Sequence, residues 1–182
     1  LLAHVTHNLS ALGNSVQLIP PAGWSEELGM YGNSDHCGNV WPLIAGASEP
    51  ASYTFTALLP GTMAGMLVCI GNVQVDKPLD TWQLAALTTA ATSISAIVNT
   101  GNPNCLLLMF ADAYIPYVAE TWSVSSMTER FDQGIPNGGA FVMHQSDSGT
   151  AAIPVGQYSR TVVKSGIARK LSAALLAIIG NF

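Results

Sequence analysis

The stretch "DTWQLAALTTAATSISAIVNTGNPNCLLLMFAD", Asp80 to Asp112, encloses thirty-one consecutive residues without a charged side chain. Whether its first half is one helix or a pair of strands decides the fold class. Leu84, Leu87, Ala91, Ile94 and Val98 recur at three- and four-residue steps, Pro78 precedes, and Asp80 is a good N-cap residue, so the spacing predicts a helix over 81–98. It ends at Thr100-Gly101-Asn102-Pro103. The opposite helical face carries Thr88, Thr92 and Ser95, where a solvated helix would carry Lys and Glu. These three are the candidate interface residues. The following "CLLLMFADAYI" is an apolar run of strand length, as in a strand buried on both faces, with a buried helix segment as the alternative.

Working outward, Ser159 to Ile179 gives a second helical pattern. Val163, Ile167, Leu171, Ala174, Leu175 and Ile178 form one stripe, and Gly180 is a natural stop. A long helix is therefore expected over 160–179. "SYTFTALL" (52–59) and "GMLVCIGNVQV" (65–75) read as strands paired across Pro60-Gly61, and "ETWSVSSM" and "GGAFVMHQ" as further strands, with 134–139 as a loop. The first fifty residues are rich in Gly, Pro, Asn and Ser and read as a loop-rich, arm-like segment. The expected fold is thus α+β, one domain over 1–182, mainly antiparallel sheet with two long helices. A β jelly roll with added helices is the alternative.

Only 9% of the 182 residues are charged, against roughly 25% in an ordinary domain. Area scaling gives a 19.0 kDa monomer about 8,400 Å² of surface, so seventeen charges leave about 500 Å² each. Such a surface is poorly protected against association. Disorder is excluded, because disordered chains are poor in apolar residues. The apolar runs 106–111 and 173–179 fall short of the 18 residues of a membrane span, so no transmembrane segment is expected. The start, "LLAHVTHNLS", lacks an initiator Met and the regions of a signal peptide, and reads as a processed or truncated beginning.

Chemistry-bearing residues are sparse. Cys37, Cys69 and Cys105 have neither disulfide-framework nor zinc spacing and are expected as buried thiols. "NSDHCGN" sets Asp35, His36 and Cys37 side by side, but neighbours on an extended segment point apart, so a nucleophile–base pair would need another partner, such as His144. A small hydrolase using Cys37 and His144 is the alternative function. His4 and His7 have a spacing that would put both rings on one helical face, with no further metal ligand beside them. Glu26, Glu27, Glu129 and Asp132 read as solvated acids, and Asn8-Leu9-Ser10 as a formal glycosylation sequon. No phosphate-cradling loop is present, and no cofactor is expected. Four of six basic residues, Arg160, Lys164, Arg169 and Lys170, fall on the second expected helix. They form its solvated side and, at most, a weak nucleic-acid contact, since the net charge is −5. That amphipathic helix also supports a second alternative, a membrane-active protein.

A low-charge chain rich in Ala, Thr and Gly, with an arm-like start, no cofactor motif and neutral helix faces, resembles the shell proteins of non-enveloped icosahedral viruses. Lacking a basic packaging arm, it is more similar to the capsids of double-stranded RNA viruses. The resemblance implies a non-enzymatic structural protein of the virion that assembles with copies of itself or other capsid chains.

Overall fold

The computed structural model describes residues 1–8, 18–24, 28, 30–32, 36–114, 120–134, 139–146 and 153–180. Residues Leu9 and Ser10 of the sequon, Glu26, Glu27, Asp35 and most of the 134–139 loop lie outside them. Fourteen strands run through the described residues, and their pairings are antiparallel. They are β1 (Leu2–Asn8), β2 (Leu18–Ile19), β3 (Met30–Gly32), β4 (His36–Pro42), β5 (Thr56–Ala57), β6 (Met63–Val68) and β7 (Leu79–Ala86). β8 (Ser93–Thr100), β9 (Cys105–Tyr114), β10 (Trp122–Val124), β11 (Met127–Gly134), β12 (Gly139–Ser146), β13 (Gly156–Lys164) and β14 (Leu171–Ile179) complete the order.

No described residue is helical. This overturns the α+β expectation with helices at 81–98 and 160–179, and equally the added helices of the alternative. The first "helix" is β7, a turn and β8. In β8 the alternation is plain: Ile94, Ala96, Val98 and Thr100 are buried while Ser93, Ser95, Ile97 and Asn99 are exposed. The second is β13, a turn with Gly166 at φ +78, and β14.

β14 explains the misreading. All nine of its residues are buried, because it lies between β9 and β7 in a five-stranded sheet covered on both faces. Leu171, Ala173, Leu175, Ala177 and Ile179 join one core; Ala174, Leu176 and Ile178 join another. A strand with no solvated side shows apolar residues at every spacing, the helical one included.

The molecule is built in layers. The central sheet has the order β11-β12-β9-β14-β7, and an outer sheet, β10-β13-β8, packs on one face through Ile94, Ala96, Val98, Trp122 and Val162. Beginning at β7, strands β7, β9, β11, β12 and β14 belong to the central sheet and β8, β10 and β13 to the outer one. Seven of these strands, β7-β14-β9-β12 facing β8-β13-β10, follow a jelly-roll order, but β11, which would complete the outer sheet, pairs with β12 in the central one. The other face of the central sheet is covered by a four-stranded sheet, β3-β4-β1-β6, through Leu2, Val40, Ala64 and Met66. Outside this lies a further apolar cluster, where Trp24 and Trp41 pack on Tyr53 and Phe55.

Within the first fifty residues, β1 is thus an internal strand, paired with β4 on one side and β6 on the other. The hairpin expected between 52–59 and 65–75 is not formed: β5 pairs with β2, and β6 with β1. Asp80, read as a helix N-cap, accepts from the backbone N–H groups of Gly101 (2.7 Å) and Asn102 (3.2 Å) instead. It ties down the β8–β9 connection with the same carboxylate-to-amide bonding that would cap a helix.

Candidate functional site

The covering sheet and the central sheet enclose a polar cluster in an otherwise apolar interface. β1 alternates, so Leu2 and His4 face the central sheet while Ala3 and Val5 face outward. β4 turns His36 and Val40 the same way as His4. On the central sheet, Asp112 of β9 and Ser172 of β14 are direct register partners. Four strands therefore bring four polar side chains to one point.

Asp112 is fully buried. Its Oδ2 lies 3.2 Å from His4 Nε2 and its Oδ1 2.6 Å from His36 Nε2, and that same His36 nitrogen is 2.9 Å from Ser172 Oγ. His4 also packs its ring on Phe110, centroids 5.0 Å apart. Burial alone pushes the Asp112 carboxyl up; the charge and hydrogen bonding of His36, followed by those of His4, outweigh it and hold the group below the ordinary aspartate value. A buried carboxylate without such partners would be neutralised or destabilising.

Ser172, His36 and Asp112 are the residue types of a hydrolytic triad, but their arrangement is not one. A triad base uses one ring nitrogen for the serine and the other for the carboxylate, whereas here both contact Nε2. Ser172 is also wholly buried, so no substrate reaches its hydroxyl. Among the described residues no group of three His, Cys, Asp or Glu side chains is arranged to hold a metal ion; here the ring nitrogens contact the carboxylate oxygens directly. The cluster joins two sheets.

The expected site residues are scattered. Cys37 is buried on β4, with His7 of β1 as its register partner. His144 lies on β12 opposite Met109, in the central sheet, so the two halves of the hydrolase reading belong to different layers. His7 itself is buried, and burial lowers its pKa against the opposing effect of a hydrogen bond to the Leu59 backbone carbonyl. His4 and His7 sit on a strand, not a helix, so they face opposite sides. None of the three cysteines is in a disulfide; Cys37 and Cys105 are buried but Cys69 is exposed, a correction to the expectation for it. Burial, and then the neighbouring Asp80, push the Cys105 thiol up to about 11, far from a reactive thiolate.

The four basic residues do not share a face. Arg160 and Lys164 belong to β13, while Arg169 and Lys170 belong to the connection before β14. Lys164 is not accessible: its Nζ is 2.6 Å from Glu120 Oε2, both side chains are buried, and it donates to the carbonyls of Ser165 and Ile167. Arg160 lies over the Tyr158 ring, 5.8 Å from its centroid. With no helix there, the membrane-active reading loses its amphipathic element, and no helix among the described residues is long and apolar enough to cross a membrane.

Of the interface candidates, Thr88 lies in the turn between β7 and β8, and Thr92 immediately precedes β8. Ser95 is on the solvent face of β8, its hydroxyl 2.7 Å from Thr161 Oγ1. Ser95 pairs with Thr161, Ile97 with Ser159 and Asn99 with Gln157 across β8 and β13. All six are exposed and none is charged. An apolar cavity of about 220 Å³ lies elsewhere, among Leu2, Leu43, Ile70, Val73, Leu79 and Ile178. It has no convergent set of ionisable side chains.

Comparison with protein-family models, with curated proteins and with solved structures finds no match.

Proposed function

We propose that this chain is a structural protein that assembles, with copies of itself or with partner chains, into a viral capsid shell, and that it resides in the virion. The observation that carries the reading is the uncharged solvent face of β8 and β13, where Ile97 is 41% and Val163 46% exposed. Covering a charged surface imposes a desolvation cost that imperfect pairing does not recover. Covering Ser95, Ile97, Thr161 and Val163 does not. The jelly-roll-like order of seven strands supports the reading only generally, since lectins and cupins share that order with capsids. The clustered polar residues at Asp112 are closed off between sheets, which favours a scaffold over a hydrolase. With Lys164 paired to Glu120, any nucleic-acid contact falls to Arg160, Arg169 and Lys170 and is weak and salt-sensitive.

Thr161→Lys tests this. The residue is exposed, so the isolated domain should keep its thermal stability while light scattering shows loss of assembly. Assembly equal to that of the unmodified chain would remove the face from the contact and with it the main support for the reading.

A further inference from the structure

We infer that β6 is a docking edge that pairs with β6 of a second copy of this chain, joining two covering sheets into one continuous sheet. The inference rests on the assembly reading and names one contact within it. Edge strands expose unpaired N–H and C=O groups, and proteins protect them by charge, proline, bulges, shortness or cover. The edges here can be compared. β11 carries exposed Glu129 and Arg130 and a register irregularity between Glu129 and Phe131. β10 and β3 have three residues each. β7 and β8 meet at a corner, where the Gln83 side chain accepts from the Ile97 N–H.

Among the described residues β6 shows none of these. It has six residues, "MAGMLV", without charge or proline, and its ladder to β1 is regular from His7↔Met63 to Leu2↔Val68. Among the described residues β1 is its one strand partner. It sits in a stretch of twenty-six uncharged residues, 50–75, in which Leu58 and Leu59, shortly before the strand, are 55% and 42% exposed and Leu67, on it, is 51% exposed. Such an edge is a template for another strand.

The occupant follows from the strand's own pattern. A two-fold axis normal to the sheet makes two copies antiparallel and keeps each face in register. With the axis at Gly65, Met63 falls opposite Leu67 and Ala64 opposite Met66. The exposed Leu67 side chain is then covered by Met63 of the other copy. The residue on the axis, where two identical side chains would meet, is the one without a side chain. No like charges oppose, since there are none.

Two variants test it in the full chain. Leu67→Lys brings a charge against the partner's apolar strand and should weaken self-association at least about tenfold in sedimentation velocity, with thermal stability unchanged. Gly65→Cys, made with Cys69→Ser to remove the nearby exposed thiol, should give a disulfide-linked dimer on mild oxidation; the built Cβ meets only ordinary contacts at Val5 and His4. If the unmodified chain assembles but Leu67→Lys assembles equally well, or Gly65→Cys yields no linked dimer, the β6 pairing is overturned and the assembly reading stands. A chain that is monomeric at every concentration overturns both.

Discussion

Removing the Asp112 carboxylate should cost the fold more than any surface change, because the group is the common partner of two imidazoles on a different sheet. In Asp112→Ala, His4 and His36 stay buried with their Nε2 atoms facing a small cavity. Breaking a buried charged or strongly hydrogen-bonded pair by deleting one partner typically costs about 3–5 kcal/mol, roughly a fifth or more of the ~5–15 kcal/mol that holds a domain together. Asp112→Asn keeps the shape and one acceptor oxygen, so it should cost less, about 1–3 kcal/mol. The assay is urea unfolding followed by tryptophan fluorescence, with a double-mutant cycle to His36→Ala. A coupling of about 0.5–3 kcal/mol is expected for groups in contact. The pH dependence has a definite sign. Because the folded pKa of Asp112 is depressed, its contribution is present above the unfolded value, about 3.9, and is lost as pH falls through the folded value. The gap between the unmodified chain and Asp112→Ala should therefore be full at neutral pH and narrow below about pH 4. A cost under about 1 kcal/mol at pH 7, or a gap that widens in acid, would refute the argument.

Leu175 and Leu176 are adjacent on β14, fully buried, and in different cores. Each →Ala change should cost about 2–5 kcal/mol in chemical denaturation, where a one-sided strand would lose stability at only one of them. Lys164→Ala should cost about 3–5 kcal/mol by stranding Glu120, while the exposed Lys77→Ala stays within about 0.5 kcal/mol; equal melting temperatures would contradict the pairing. Gly166→Ala places a Cβ 2.9 Å from Glu120 Oε1 at φ +78, so it should lose at least about 1–2 kcal/mol from backbone strain alone. A neutral effect would mean that the β13–β14 turn is built differently.

The strand at Cys105–Tyr114 was legible in the seven-residue apolar run "CLLLMFA", whose length suits a buried strand although a buried helix segment shares its pattern. β8 reads as helix although Ile94, Ala96 and Val98 alternate with Ser93, Ser95 and Asn99, because Ile97 on the exposed face fills in the period. Leu84, Leu87 and Ala91 then extended a helical spacing across what is in fact a turn. β14 carried no usable period, since both of its faces are covered. The cluster at Asp112 left only a faint signal: Asp112 ends the apolar "CLLLMFA", and Ser172 is the lone hydroxyl in "LSAALLAII". Single polar residues in fully buried strands need partners, yet finding His4 and His36 required the register of four strands spread over more than a hundred residues of sequence. Lys164 was placed in solvent because a helical stripe assigns faces every 3.6 residues; on β13 the period is two, and Lys164 falls with Val162 on the buried side.

Native mass across a concentration series tests the central claim most directly. If the uncharged β8–β13 face makes the contacts of a shell, sedimentation velocity should show the chain in discrete assemblies many times its 19.0 kDa, with Thr161→Lys reducing them to smaller species of unchanged stability. A chain that stays at the monomer mass at all concentrations, alone and with the other proteins of its particle, would contradict the account.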